Sequence, residues 1–553
     1  MLDGEVSVLI GGRAGDGISS AGQVIAHILA QGGYRVHMYY DYPSLIKGGH
    51  NFAIVRASEA PIGAVREAVD FILALNQETV RLHSRRLREQ GVIIHDRGTV
   101  SLPEGTGIPV QEILAAEDAR PVMGNAAMIG AFVRAAGLDW ETAERVLKKS
   151  MQKDAIKNIR VARRGYDASQ ERQKIPSTGR PVLPAVTGNE AIGIGLLEGD
   201  LELYLGYPMT PTSNILHFLA GYADELHIRV IQPESETAVI LAALGCTYAG
   251  SRAAIGTSGG GFCLMTEALG LAGMAELPVV IILGQRAGPS TGLATYTAQS
   301  DLHFALHAGQ GEFPRLVVAP GDADEARYWS RTLMDLAWKY QLPAILLTDR
   351  LLCEGLYSIG PEAGTRYEGG PLMAVAGTHP YHRYARTDSG ISPLAFPPLK
   401  GEIIRVNSHV HDTDGITAED PGVTKEMADK RIRKMRVLAE EIEHLTPVIT
   451  GGVPDATTAL LCWGSTQCVC EEAARTMGLR VVRPVVIWPF PVNAFARAMK
   501  GVEMFYAVET NESGQLAALV SRYGYRAAGT VLKYDGRPFM AGEVEAELRR
   551  VMV

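Results

Sequence analysis

From Gly188 to Gln285, short apolar runs and single helical stretches take turns along the chain, and this alternation constrains the fold more than any other feature. The order is helix GNEAIGIGLLEG, strand LELYLGYP, a helix, strand HIRVIQPE, helix SETAVILAALGCTYAG, strand RAAIGTS, a helix and strand PVVIILGQ. One helix between successive strands carries the chain back to the starting edge each time, which predicts a parallel sheet. Ligands bind such sheets at the carboxyl ends of the strands. The residues just after LELYLG, VIQP and VIILG are therefore the ones to watch.

A chain of 553 residues exceeds what one hydrophobic core usually accommodates, so several domains are expected. Residues 5–10, 34–40, 52–56, 70–75 and 92–95 are strand candidates interleaved with helical stretches such as 18–31 and 76–90. They predict a first α/β domain over 1–178, closed by a helical tail, with a polar, basic linker over 157–181 reaching to about 185. The alternating unit fills 186–358. Residues 359–449 lose the rhythm and read as an extended insertion or arm, ending in a charged helix over 424–445 expected on a solvated or subunit-facing surface. Residues 450–553 return to alternation as a third, smaller α/β domain, so the fold class is multidomain α/β.

Composition excludes several function classes. With 46% hydrophobic and 21% charged residues, and no apolar run near the roughly 20 residues of a bilayer span, no membrane segment is expected. The start MLDGEVSVLI lacks the pattern of a secretory leader, which points to the cytoplasm. A net charge of −8 disfavours nucleic acid as a partner. Six dispersed cysteines, with only Cys468 and Cys470 close together, fit neither a zinc site nor an iron–sulfur run.

The first candidate site is GGRAGDG at 11–17. The spacing of Gly12, Gly15 and Gly17 departs from a dinucleotide fingerprint, although Asp41 ends the next strand as an acidic partner would. No Lys-Ser or Lys-Thr follows, so it is not a P-loop. A thiamin diphosphate motif also has Gly-Asp-Gly, but 33 residues separate Gly17 from Asn51, the first asparagine downstream, which precedes Phe52, so the match fails on spacing and on chemistry. What remains is a glycine turn at a helix N-terminus, able to receive an anionic group or simply to shape the domain.

The stronger constellation lies in the alternating unit. GYPMTPTSNI places Thr210, Thr212 and Ser213 at a helix start, IQPESETAV places Glu234 and Glu236 at a strand-to-helix junction, and ILGQRAGPSTGLAT ends a strand with Arg286 in a glycine-rich loop. Hydroxyls, a carboxyl and a guanidinium at neighbouring strand ends suit an anionic oxo substrate and a protonatable heterocycle. Each residue also has a plainer role open to it: Thr210 as a cap, Glu236 as a first-turn acid, Arg286 as a surface cation. His303 and His307 stand four apart without a third ligand and are expected to be structural.

GNEAIGIG, YPMTPTS, ESETAVILAALGCTYAG, TSGGGFCLMTEALG, QRAGPSTGLAT and WPFP together resemble the alpha subunit of the 2-oxoacid:ferredoxin oxidoreductases, and residues 1–178 resemble the family's gamma domain fused in front of it. The family's later Arg-Gly-Gly is represented by Lys47-Gly48-Gly49, a departure that weakens any role for that position. The resemblance implies a gamma domain, a thiamin-pyrimidine-type parallel-sheet domain and a transketolase C-terminal-like domain. It implies that Glu236 hydrogen-bonds N1′ of the thiamin aminopyrimidine, that Thr210 binds the oxo-acid end of the substrate, that Arg286 pairs with its carboxylate, and that Thr295 is a nearby specificity position. It also implies a beta subunit holding thiamin diphosphate, Mg²⁺ and a [4Fe–4S] cluster, with coenzyme A as co-substrate, ferredoxin as electron partner and an (alpha-beta)₂ heterotetramer. The fused form points to the type that acts on 2-oxoglutarate; pyruvate, branched-chain or aryl 2-oxoacids are alternatives. Gly12, Gly15 and Gly17 are then candidates for receiving an anionic part of coenzyme A. A nicotinamide-dependent dehydrogenase and a non-catalytic scaffold subunit are the readings outside the family.

Overall fold

The computed structural model describes residues 4–44, 49–361, 367, 369–374 and 380–552. They form a multidomain α/β protein with two compact units, each assembled from separate stretches of chain.

The first unit comprises Met1–Thr187, Glu354–Pro361 and Met540–Glu543. Its eight-stranded sheet runs in the order Thr106–Ile108, Leu87–Asp96, Val69–Ala74, Glu5–Arg13, His50–Ser58, Arg35–Asp41, Leu356–Ser358, Ala185–Thr187. Glu5–Arg13 is parallel to Val69–Ala74 and antiparallel to His50–Ser58, so the sheet is mixed. The apolar face of Ile18–Gln31 and most of Gly124–Ala135 bury against it, with Val8, Ile10, Phe71 and Leu73 in one core with Phe132.

Two expectations fail in this unit. The stretch 76–90 is not one helix: a helix ends at His83, a short 3₁₀ turn covers Ser84–Arg86, and Leu87 already begins a strand. Asn76 caps that helix by accepting the Thr79 N–H at 2.9 Å, but the backbone from Leu87 finds its partners in the neighbouring strand Val69–Ala74 instead. The second failure is the linker over 157–181, because Ala155–Asp167 is a helix. It is held by close approach: a Cβ on Gly165 would overlap the carbonyl of Ala127, and one on Gly130 the carbonyl of Ala162. Two glycines thus let the backbones of this helix and Gly124–Ala135 touch, burying Asn158, Val161 and Ala162 despite a polar surface.

The second unit comprises Gly188–Cys353, Glu362–Phe539 and Val544–Val553. Its seven-stranded sheet has the order Val486–Trp488, Leu316–Val318, Pro343–Asp349, Val279–Gln285, Ala253–Ser258, Leu203–Gly206, Arg229–Ile231. Every pairing is parallel except that of Val486–Trp488, as the alternation predicts. Strands buried on both faces read as continuous apolar runs, and VVIILGQ is buried throughout. A five-stranded sheet follows in the order Val448–Gly452, Arg480–Pro484, Thr458–Leu461, Met504–Glu509, Gly529–Leu532.

The charged helix spans Pro421–Ile442, with Asp420 accepting the Val423 N–H at 2.9 Å as its cap. It is not a wholly solvated surface. Met427, Lys430, Lys434, Leu438 and Ile442 form a buried stripe at helical spacing, and Lys430 and Lys434 both donate to the carboxylate of Glu276, at 2.7 and 2.6 Å. Arg383 reaches the same corner through the Glu276 carbonyl at 2.7 Å. A carboxylate in the facing element turns part of a charged surface into a buried contact.

Candidate active site

Three strand ends meet in the second unit. Ser258 lies opposite Gly284, and Gly256 opposite Gly206, so the strands containing them end within a few residues of one another. Glycine matters here for proximity: a Cβ on Gly284 would lie 2.6 Å from Thr212 Cγ2 and 2.8 Å from Pro211 Cγ. The turn after Gly206 therefore reaches past Ala253–Ser258 and rests on the end of Val279–Gln285.

Asn189 at the first helix of the unit fixes that turn, its Nδ2 donating to the Pro211 carbonyl at 2.9 Å. The following helix starts at Ser213 with Thr212 at its cap position, and Thr212 donates its hydroxyl to the Met209 carbonyl at 3.2 Å. Thr210 is thus not the cap, and its hydroxyl has no hydrogen-bond partner among the described residues. Its carbonyl accepts from Arg286 Nη1 at 3.3 Å, which brings together two of the site residues expected from sequence. Arg286 has no acidic partner among the described residues, and burial lowers its pKa.

Glu236 opens the helix Glu236–Tyr248, where Ser235 is the cap and accepts the Ala238 N–H at 3.3 Å. Only 5% of Glu236 is exposed, yet its carboxyl finds no hydrogen bond or ion pair among the described residues. It faces Gly261, where a Cβ would stand 2.8 Å from Glu236 Cγ and would overlap Thr257 Oγ1. A buried carboxyl left without a donor among the described residues, beside a glycine whose lack of a side chain lets it pack there, fits the protonatable ring of thiamin. Thr295 is also buried with its Oγ1 unpartnered, on the loop that Arg286 begins. That loop closes on itself, the Ala287 N–H donating to the Tyr296 carbonyl at 3.2 Å.

Sequence reasoning missed Asn189, Gly261 and Asp301. Asn189 sits at a strand-to-helix junction like the residues that were singled out, so its position was a usable signal. Gly261 lies in a run of three glycines, where nothing local distinguishes one from the others. Asp301 lies 2.6 Å from where a Gly259 Cβ would be, and burial pushes its carboxyl up to about 6.

In the first unit GGRAGDG forms a closed turn. Gly12 ends within the strand Glu5–Arg13, Asp16 accepts the Arg13 N–H at 2.7 Å, and Gly17 at φ 70° leads into the helix Ile18–Gln31. Gly15 has φ 101° and open space around it, whereas a Cβ on Gly12 would lie 2.7 Å from the Asp16 carboxylate. Asn125 donates to the Asp16 carbonyl at 3.1 Å. Lys47 and Gly48 lie outside the described residues. Gly49 is described, and its carbonyl accepts the Ala14 N–H at 3.3 Å.

His303 is engaged by Gln515, its Nε2 lying 3.1 Å from the Gln515 carbonyl oxygen. Among the described residues no group of three His, Cys, Asp or Glu side chains is placed to hold a metal ion. No helix among them is long and apolar enough to cross a membrane.

Comparison with known proteins follows the same division of the chain. Residues 194–429 match the family described as pyruvate flavodoxin/ferredoxin oxidoreductase, thiamine diphosphate-binding, and residues 7–168 match pyruvate ferredoxin/flavodoxin oxidoreductase. The alpha subunit of 2-oxoacid:ferredoxin oxidoreductase 2 from Aeropyrum pernix is 29% identical over 99% of this chain and 98% of its own. The 2-oxoglutarate oxidoreductase subunit KorA of Mycobacterium tuberculosis is 31% identical over 66% of this chain and 57% of its own. The solved 2-oxoglutarate:ferredoxin oxidoreductase from Magnetococcus marinus, with 2-oxoglutarate, coenzyme A and succinyl-CoA bound, superposes with a TM-score of 0.90 at 26% identity, covering 99% of this chain and 100% of that one.

Proposed function

Because the chain belongs to the 2-oxoacid:ferredoxin oxidoreductases, we propose that it is the alpha subunit of an enzyme converting 2-oxoglutarate, coenzyme A and oxidised ferredoxin to succinyl-CoA, CO₂ and reduced ferredoxin, reversibly. The choice of 2-oxoglutarate rests on likeness to the Magnetococcus marinus enzyme and to the KorA subunit. The observation that carries the chemistry is the buried carboxyl of Glu236, without a donor among the described residues and packed against Gly261, where no side chain would fit.

Thiamin diphosphate, when bound, supplies the electron sink for decarboxylation. Glu236 offers its largely buried carboxyl as the hydrogen-bond partner of a ring nitrogen. Arg286 binds the carboxylate of the 2-oxoacid through its planar fork, an interaction made stronger by partial burial. Thr210 and Thr295 orient the oxo acid, Thr295 with a buried hydroxyl that no neighbouring group engages among the described residues. The partner subunit holds the diphosphate, Mg²⁺ and the [4Fe–4S] cluster, and the two chains assemble as (alpha-beta)₂ in the cytoplasm. GGRAGDG in the first unit helps receive an anionic part of coenzyme A, through the turn that Gly15 and Gly17 allow.

The test is co-expression with the beta subunit and assay of ferredoxin reduction with coenzyme A and a panel of 2-oxoacids, preferred turnover of 2-oxoglutarate being the expected result. Glu236→Gln keeps the shape and removes the titratable proton, so activity should drop about a hundred- to ten-thousand-fold with the complex intact. Wild-type turnover in that variant would sink the assignment of Glu236.

A further inference from the structure

The loop that carries Arg286 and Thr295 is anchored from outside by another part of the second unit. Within the loop, the Ala287 carbonyl accepts the Leu293 N–H at 2.8 Å and the Leu293 carbonyl accepts the Tyr296 N–H at 3.0 Å. Ser290 and Gly292 both have positive φ, and a Cβ on Gly292 would overlap the Ala287 carbonyl. This conformation is specific, but its internal bonds tie the loop only to itself.

The external anchor is the turn Tyr534 to Arg537, which follows the last strand of the five-stranded sheet. The Gly536 carbonyl accepts the Thr297 N–H at 3.1 Å. Gly536 has φ 81°, and a Cβ there would lie 3.0 Å from Leu293 Cδ1 and 3.1 Å from Tyr296 Cβ. Arg537 lays its guanidinium 3.8 Å from the centre of the Tyr296 ring, and its own N–H is fixed by the Asp535 carboxylate at 2.8 Å. The turn thus grips the loop next to Thr295 with a backbone bond, a glycine contact and a stacked cation.

We propose that the turn Tyr534 to Arg537 is a positioning element for the 2-oxoacid: through Gly536 and Arg537 it sets where Thr295 and Arg286 stand, and so governs substrate affinity without touching substrate. This rests on the assignment of Arg286 and Thr295 as substrate contacts. A displacement of a fraction of an ångström in a charged anchor is felt as weaker binding of the group it orients. Loss of an exposed cation–ring contact, of the size such contacts usually have, corresponds to about a two- to fivefold change in an equilibrium constant.

The experiment uses the reconstituted complex and measures KM for 2-oxoglutarate, KM for coenzyme A and kcat. Arg537→Ala and Tyr296→Ala should each raise KM for the 2-oxoacid about two- to fivefold with the other two constants unchanged. The double variant should be no worse than either single one, because both remove the same contact. Tyr296→Phe, which keeps the ring, should stay nearer wild type than Tyr296→Ala. Gly536→Ala should shift KM in the same direction and further. Unchanged KM for the 2-oxoacid in Arg537→Ala and Tyr296→Ala, with KM raised in Arg286→Lys, would overturn the positioning role while leaving Arg286 as a substrate contact. Unchanged KM in Arg286→Lys would instead overturn the assignment on which the proposal rests. A fall in kcat alone in Arg537→Ala would show a loss of folded enzyme and equally overturn it.

Discussion

Two acids at the carboxyl end of the central strands differ in what their surroundings ask of them. Glu236 opens a helix and packs against Gly261, whereas Asp301 packs against Gly259 with no donor to its carboxyl among the described residues. Burial raises the Asp301 pKa from 3.8 to about 6, so the folded chain holds a proton that the unfolded chain gives up. Stability from this group is fully present below pH 3.8 and is lost as pH rises through 6, so at pH 7.5 the ionised carboxyl costs up to about 3 kcal/mol. Asp301→Asn should therefore raise the melting temperature at pH 7.5 and leave it nearly unchanged at pH 4; a lower melting temperature at pH 7.5 would show that the carboxylate has a partner. At this scale sequence identified residue types at junctions, so Thr210, Glu236 and Arg286 were legible from strand-to-helix punctuation. Asp301 was not, because its burial comes from packing that only the fold creates, against residues such as Gly259, 42 positions earlier.

The same contrast separates the helices. Ile18–Gln31 and Glu236–Tyr248 were legible because apolar residues supply their buried faces. Ala155–Asp167 was not, since its packing depends on glycines meeting across two backbones rather than on an apolar stripe. Pro421–Ile442 misled in a different way: charge reads as solvation, yet two of its lysines share one carboxylate out of water. Burial would raise the Glu276 pKa, but Lys430, Lys434 and Arg383 hold it below the usual carboxylate range. Three cations around one anion leave Lys434 short of compensation, and burial pushes it down from 10.5 to about 8 despite Glu276. Between those two pH values the unfolded chain holds a proton that the folded chain has released, so stability rises with pH across that window by about 3 kcal/mol. Lys434→Met keeps the Lys430 pair and removes that titration. The stability of wild type relative to Lys434→Met should grow from pH 8 to pH 10, as read by denaturant melts; a constant difference would mean that Lys434 stays charged throughout.

Across the whole molecule, alternation of strands and helices revealed the sheets but not which of them share a core. The seven-stranded and five-stranded sheets lie in one compact unit, and Ile281, Leu283 and Ile345 of the first belong to the same apolar cluster as Leu461, Val482 and Phe505 of the second. A polar joint accompanies that core. Gln299, fully buried, donates to the Trp463 carbonyl at 2.7 Å, accepts the Thr510 N–H at 3.1 Å, and exchanges backbone bonds with Thr510 and the Asn511 side chain at 2.7 and 3.0 Å. Gln299 follows the loop bearing Arg286 and Thr295, so the joint couples the candidate site to the last hundred residues of the chain. A shared core and joint make the two sheets one cooperative unit, in which opening either exposes apolar surface of both. Gln299→Ala strands the buried Thr510 N–H, while the Trp463 carbonyl keeps the Thr466 hydroxyl, a cost of about 1–3 kcal/mol. Hydrogen exchange should then show protection falling by the same free energy in Val279–Gln285 and in Met504–Glu509, one strand from each sheet. Loss of protection confined to Met504–Glu509 would show instead that the five-stranded sheet opens alone, and that the site keeps its shape without it.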